Sequence, residues 1–154
     1  MTRAALVALT ALTALSVAAC DGGSNGRLSK SEYEERVRSV YAEVQEAFAR
    51  TNVPLAELAG RVEDAQAELR EAAGELEDVT PPEEAEAANA QIAAGLRLYA
   101  GELDRLRNAA ERGDQPTIDD FNNRIAQLES VRQIMEAAES LKFKGYDLGP
   151  IAEE

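Results

Sequence analysis

The chain contains no histidine, no tryptophan and a single cysteine among 154 residues. Without histidine the commonest general base and a frequent metal ligand are missing. The Glu-x-x-His motif of di-iron bundles cannot be written in this sequence, nor can a zinc site built from Cys and His. One cysteine excludes a disulfide within the monomer. Aromatic residues are scarce, at 5%, which is thin for an all-β core. Positive charge is also in deficit: 16 Lys+Arg stand against 29 Asp+Glu, a formal charge of −13. Such a surface repels phosphate backbones, so nucleic acid is not an expected partner.

Nothing in the remaining residues assembles a catalytic centre. The serines lack a base to activate them, and no G-x-x-x-x-G-K-S/T phosphate loop occurs. The carboxylate clusters Glu83-Glu84-Glu86 and Asp119-Asp120 fall near expected helix starts, where negative charge complements the dipole. Asp114 to Asp120 lacks the ligand pattern of a calcium-binding EF-hand loop. The expectation is a protein that is not an enzyme and carries neither cofactor nor metal.

The lone cysteine stands at the end of an apolar run. Arg3 is followed by the uncharged stretch Ala4 to Ala19, 16 residues long, short for a membrane span and suited to a signal-peptide core. Val17-Ala18-Ala19-Cys20 closes it, and the polar stretch Asp21 to Arg27 follows. This resembles the lipobox of bacterial lipoproteins. The resemblance implies cleavage between Ala19 and Cys20, removal of residues 1–19, and acylation of Cys20 as the new amino terminus. The mature chain would then be held on the extracytoplasmic face of the cell membrane by acyl chains. It would carry 15 basic and 29 acidic side chains, a charge of −14. Residues 20–28 read as a flexible linker, since Gly and Ser dominate and little apolar surface is available.

Residues 29–145 carry four helical stretches. The first, from about Lys30 to Arg50, has a complete start signal: Ser29 as N-cap, Glu32 as capping-box partner, Leu28 and Tyr33 as staple. Its stripe is Tyr33, Val37, Val40, Val44 and Ala47, widened by Tyr41 and Phe48. The second runs from Leu55 to Val79 and stops at Thr80-Pro81-Pro82, read as N-cap and first turn of the third helix, Pro81 to Arg112. Gly113 is placed as its C-terminal stop. The fourth starts at Asp114-Gln115-Pro116-Thr117 and runs to Gly145, with Ile118, Phe121, Ile125, Leu128, Val131, Met135, Ala138 and Leu141 as its core face. Gly95 and Gly101 interrupt the third helix; close helix packing is the expected reason, with a weakened turn or a ligand groove as the alternative. The predicted architecture is all-α: an up-down-up-down antiparallel four-helix bundle behind a signal peptide and tether, with short connections. Residues 146–154 form a tail that either folds back or frays.

Two classes of function fit, the first the expected one and the second its alternative. In the first, the bundle serves protein interaction in the envelope, with another protein or a second copy of itself. In the second, it binds a small molecule or ion in a pocket between helices, as the receptor part of a sensing or transport system. Tyr33, Tyr41, Tyr99 and Asn122 are the candidate lining residues for such a pocket. The plainer account makes the tyrosines half-buried core residues with wet hydroxyls and Asn122 a solvated boundary residue. From the lipobox through "LSKSEY" to the Pro-Pro connection, the chain is similar to small helical lipoproteins of actinobacteria, a resemblance that implies no activity.

Overall fold

The computed structural model describes residues 26–149; the lipobox, Ala19 and Cys20 lie outside the described residues. The described chain is all-α: α1 Lys30–Ala49, α2 Leu55–Asp78, α3 Glu86–Arg112, α4 Gln115–Arg124 and α5 Glu129–Phe143. Among the described residues, strand-like pairing is limited to one isolated bridge between Arg27 and Thr80, and no helix is long and apolar enough to cross a membrane.

Local chemistry sets the start of α1. The Ser29 side chain accepts from the Glu32 amide at 3.4 Å, and Glu32 Oε2 accepts from the Ser29 amide at 2.8 Å. The Ser29 hydroxyl also donates to Glu32 Oε2 at 2.6 Å, and this bond, followed by that from the Ser29 amide, holds the Glu32 carboxyl below its usual range. Leu28 packs against the core beside this cap.

The third helix begins later than its sequence suggests. Thr80 and Pro81 do not start it; a 3-10 turn at Glu83–Ala85 precedes α3, which opens at Glu86. A residue before proline avoids the α region, and both Thr80 and Pro81 precede one. Pro82 itself is extended, at φ −52° and ψ 146°. Thr80 instead offers its carbonyl to the Leu28 amide at 2.8 Å. The end of the expected linker, Arg27 and Leu28, is thereby fixed to the α2–α3 connection.

At its other end α3 stops as expected, on Gly113 with φ 66°, a conformation only glycine adopts without strain. Asp114 then caps α4, accepting from the Thr117 amide at 3.2 Å and its hydroxyl at 2.7 Å. The fourth expected helix does not run through. A 3-10 turn at Ile125–Gln127 and an extended Leu128, at φ −61° and ψ 142°, divide it into α4 and α5. No Gly or Pro lies between Arg124 and Glu129 to mark this break. Of the expected face, Ala138 and Leu141 are buried, as are Ser130 and Ala137, while Val131 and Met135 are only half-buried.

The core centres on α2 and α3, the most extensive helix pair, with α5 and α4 also packed on α3 and α1 packed on α2. Small side chains line the α2–α3 contact, among them Ala65, Ala72, Ala73, Ala93 and Ala100, all nearly inaccessible. Two buried amides stitch it: Gln66 Nε2 donates to the Ala100 carbonyl at 2.6 Å and to Asp104 at 3.0 Å. Asn89 Nδ2 donates to the Leu76 carbonyl at 2.6 Å, one of the four carbonyls at the end of α2 that have no partner within the helix.

The two glycines of α3 part company. A Cβ on Gly95 would sit 2.6 Å from Ile134 Cγ1 and 3.3 Å from the Ser130 carbonyl oxygen, whereas nothing lies within 4 Å of one on Gly101. Close packing therefore explains Gly95 and not Gly101, which is exposed.

The tail folds back as far as it is described. Tyr146 and Leu148 are buried, Arg38 Nη1 donates to the Asp147 carbonyl at 2.8 Å, and the Asp147 amide donates to Glu34 at 2.9 Å.

Candidate functional site

α1 packs on α2 and α5 packs on α3, but α1 and α5 have no extensive contact with each other. The gap between them is an apolar groove of about 370 Å³, within the usual size range of small-molecule sites, roughly 300–1,000 Å³. Val37, Val40, Tyr41, Val44, Gln45 and Phe48 of α1 form one wall. Val131, Ile134 and Met135 of α5 form the other, with Ile125 from the turn before it. Ile92, Leu96 and Tyr99 of α3 make the floor; Leu76 of α2 and Leu148 of the tail also contribute.

Among the described residues no charged side chain lines this groove, and the polar side chains that do are Tyr41, Gln45 and Tyr99. Tyr99 stacks on Phe48, with ring centroids 5.2 Å apart and planes inclined by 18°. Burial, followed by the negative charge of Glu102, pushes the Tyr99 hydroxyl up to about 12. It is therefore a neutral donor at ordinary pH. The arrangement can enclose an apolar body and offer it hydroxyl and amide groups; it supplies no charge for a strongly polar ligand.

The four candidate lining residues separate in space. Tyr41 and Tyr99 share the groove. Tyr33 does not line it: the ring is fully buried, edge-on to Tyr146 at 5.8 Å. The Tyr33 hydroxyl is buried with no hydrogen-bond partner, and burial, then the neighbouring Tyr146, drives its pKa strongly upward. Asn122 is exposed and borders two smaller hollows, of about 60 and 250 Å³, near the α1–α2 connection.

Val131 and Met135, expected in the core, are groove walls instead. Gln45, on the edge of the α1 stripe, carried no sequence signal beyond being polar beside Val44. The buried polar residues Gln66, Asn89 and Ser130 were also not singled out. Each is adjacent in sequence to an apolar-face residue or lies one turn from one, which is the signal that could have found them. Ser130 is fully buried at the start of α5 and its hydroxyl donates to Glu102. Among the described residues no group of three or more carboxylates gathers as metal ligands would. Compared with known protein families, curated proteins and solved structures, the chain matches none.

Proposed function

We propose that this chain is a non-enzymatic lipoprotein, held on the extracytoplasmic face of the cell membrane through an acylated Cys20, whose helical domain binds a small apolar molecule in the α1–α5 groove. The observation that carries the reading is the groove itself: about 370 Å³, lined mostly by Val, Ile, Leu, Met, Phe and Tyr, with no charged side chain among the described residues that line it. An acyl or isoprenoid chain has the chemistry such a site accepts. The helices are read as an up-down-up-down bundle. Support comes from the order of the cross-links between α2 and α3, where Gln66 meets Ala100 and Asp104 while Leu76 meets Asn89.

The choice between ligand binding and protein interaction turns on exposed apolar surface. A partner-binding bundle presents a contiguous apolar patch. The exposed large apolar side chains among the described residues are Leu55, Leu98 and Phe143, on three different helices. That scatter favours the groove as the functional feature over a broad docking face.

The test is titration of the mature protein with a fluorescent single-chain fatty acid, comparing it with Val44→Trp and Met135→Trp, which fill the groove from its two walls. Saturable 1:1 binding weakened tenfold or more by either substitution, with unchanged far-UV circular dichroism, is expected. Absence of saturable binding, or affinity indifferent to both substitutions, overturns the reading. The anchor is read separately: the native protein should partition with membranes and Cys20→Ala should not.

A further inference from the structure

Phe143, the last residue of α5, is 93% exposed, far more than any other large apolar side chain described. Its surroundings place it at one definite end of the molecule. The Leu28 amide bonds to Thr80, and Arg27 pairs with Glu86 at 2.6 Å. Lys30 Nζ donates to the Gly145 carbonyl, and Lys144 Nζ to the Glu84 carbonyl. The point where the amino-terminal segment enters, the start of α1, the α2–α3 connection and the end of α5 are therefore neighbours. All three lysines of a chain with thirteen arginines, Lys30, Lys142 and Lys144, lie at this end.

Cys20 precedes Gly26 by six residues. Fully extended, six residues reach about 20 Å. If Cys20 carries lipid, this end stays within about 20 Å of the bilayer. We propose that the end bearing Phe143, Lys142 and Lys144 is a membrane-facing surface, with the ring seated in the interfacial layer of the bilayer that holds Cys20. An exposed phenylalanine can bury its ring at the headgroup–acyl boundary, and lysine can lay its stem along apolar surface with its ammonium at the headgroup level. Acidic groups at this end are partly engaged: Glu86 by Arg27, and Glu84 by the Tyr146 hydroxyl at 3.0 Å. One ring does not hold a protein on a membrane, but a tether raises its local concentration so that it needs only to orient the domain. The inference rests on the lipid-anchor reading and is independent of the groove.

The chain has no tryptophan, so Phe143→Trp introduces a unique probe at a site exposed enough to accept it. The mature chain, Cys20 to Glu154, is coupled through its only thiol to maleimide lipid in phosphatidylcholine–phosphatidylglycerol vesicles containing brominated acyl chains. Emission from Phe143→Trp should shift to the blue and fall at least twofold. A probe at Gln115→Trp, at the start of α4, should be unaffected, and Lys142→Glu with Lys144→Glu should reduce the quenching. Equal, negligible quenching at both probes overturns the surface while leaving the anchor standing. Mass spectrometry showing an unmodified Cys20 in the native protein overturns the anchor, and with it the orientation in the cell.

Discussion

One substitution made at two sites on the same helix isolates the packing between α3 and α5. Replacing a helical glycine by alanine gains about 0.8–1.0 kcal/mol of intrinsic helix stability. At Gly101 nothing lies within 4 Å of the new methyl group, so Gly101→Ala should realise that gain and raise the melting temperature by about 4 °C. At Gly95 the same methyl group meets Ile134 Cγ1 at 2.6 Å and the Ser130 carbonyl at 3.3 Å. Ile134 must turn or α5 must shift, and such overpacking costs about 1–3 kcal/mol. Subtracting the helix gain leaves Gly95→Ala between neutral and about 2 kcal/mol destabilising. The two variants should therefore move in opposite directions, or at least differ by about 1–3 kcal/mol. Urea denaturation followed by far-UV circular dichroism gives the difference directly, provided the denaturant slope is unchanged. Equal stabilisation by both substitutions would refute the close approach of α5 to Gly95, and with it the placement of Ile134 on the groove wall.

Tyr33→Phe keeps the edge-on contact with Tyr146 and removes a buried hydroxyl that has no partner. Stability should rise by about 1 kcal/mol, the lower end of the cost of an unsatisfied buried group; a loss of that size in the same urea assay would mean the hydroxyl is bonded. Alkaline pH should destabilise the fold. Burial raises Tyr33 and, to about 12, Tyr99; burial and the bond to Glu84 raise Tyr146 to about 12. A raised folded-state pKa keeps the proton on the folded chain while the unfolded chain loses it. The contribution is therefore complete below about pH 10, the unfolded tyrosine value, and is lost as pH climbs towards about 12. For Tyr99 it amounts to about 3 kcal/mol at most. A urea midpoint that stays flat across that window would contradict the burial of all three rings.

Features held by neighbours in sequence were legible, and those held by distant contacts were not. Ser29 and Glu32 bond to each other across three residues, and Gly113 meets a backbone need that any helix end presents. Both could be read without the fold. The Pro81-Pro82 pair was misread because two local rules compete there. Proline suits a first turn, but the residue before a proline resists helix, and the second rule won at Thr80 and Pro81. The break at Leu128 carries no Gly or Pro to mark it, so periodicity runs one helix through it. Periodicity finds the apolar face of a helix; it does not say whether another helix covers that face. Tyr41 and Tyr99 were found as candidates on that basis, while Tyr33, on the same α1 stripe as Tyr41, is covered by Tyr146.

The contrast between the two interfaces of the molecule explains why a groove exists here. α2 and α3, the most extensive helix pair, bury many alanines between their larger side chains, and small side chains let two helices approach closely. The α1 and α5 faces that look towards each other carry Tyr41, Gln45, Phe48 and Met135 and, beside them, the β-branched Val37, Val40, Val44, Val131 and Ile134. Branching at Cβ leaves each of these essentially one χ1 rotamer in a helix, so they cannot swing across a gap to fill it. α1 is tied to α2, and α5 is tied to α3 by the bond from Gln133 to the Gln91 carbonyl at 3.0 Å and by the close seat at Gly95. Each wall is thus positioned by a different partner. Stiff side chains on separately fixed helices leave an apolar space whose width does not depend on an occupant, and the binding proposed above would ask little reorganisation of the protein.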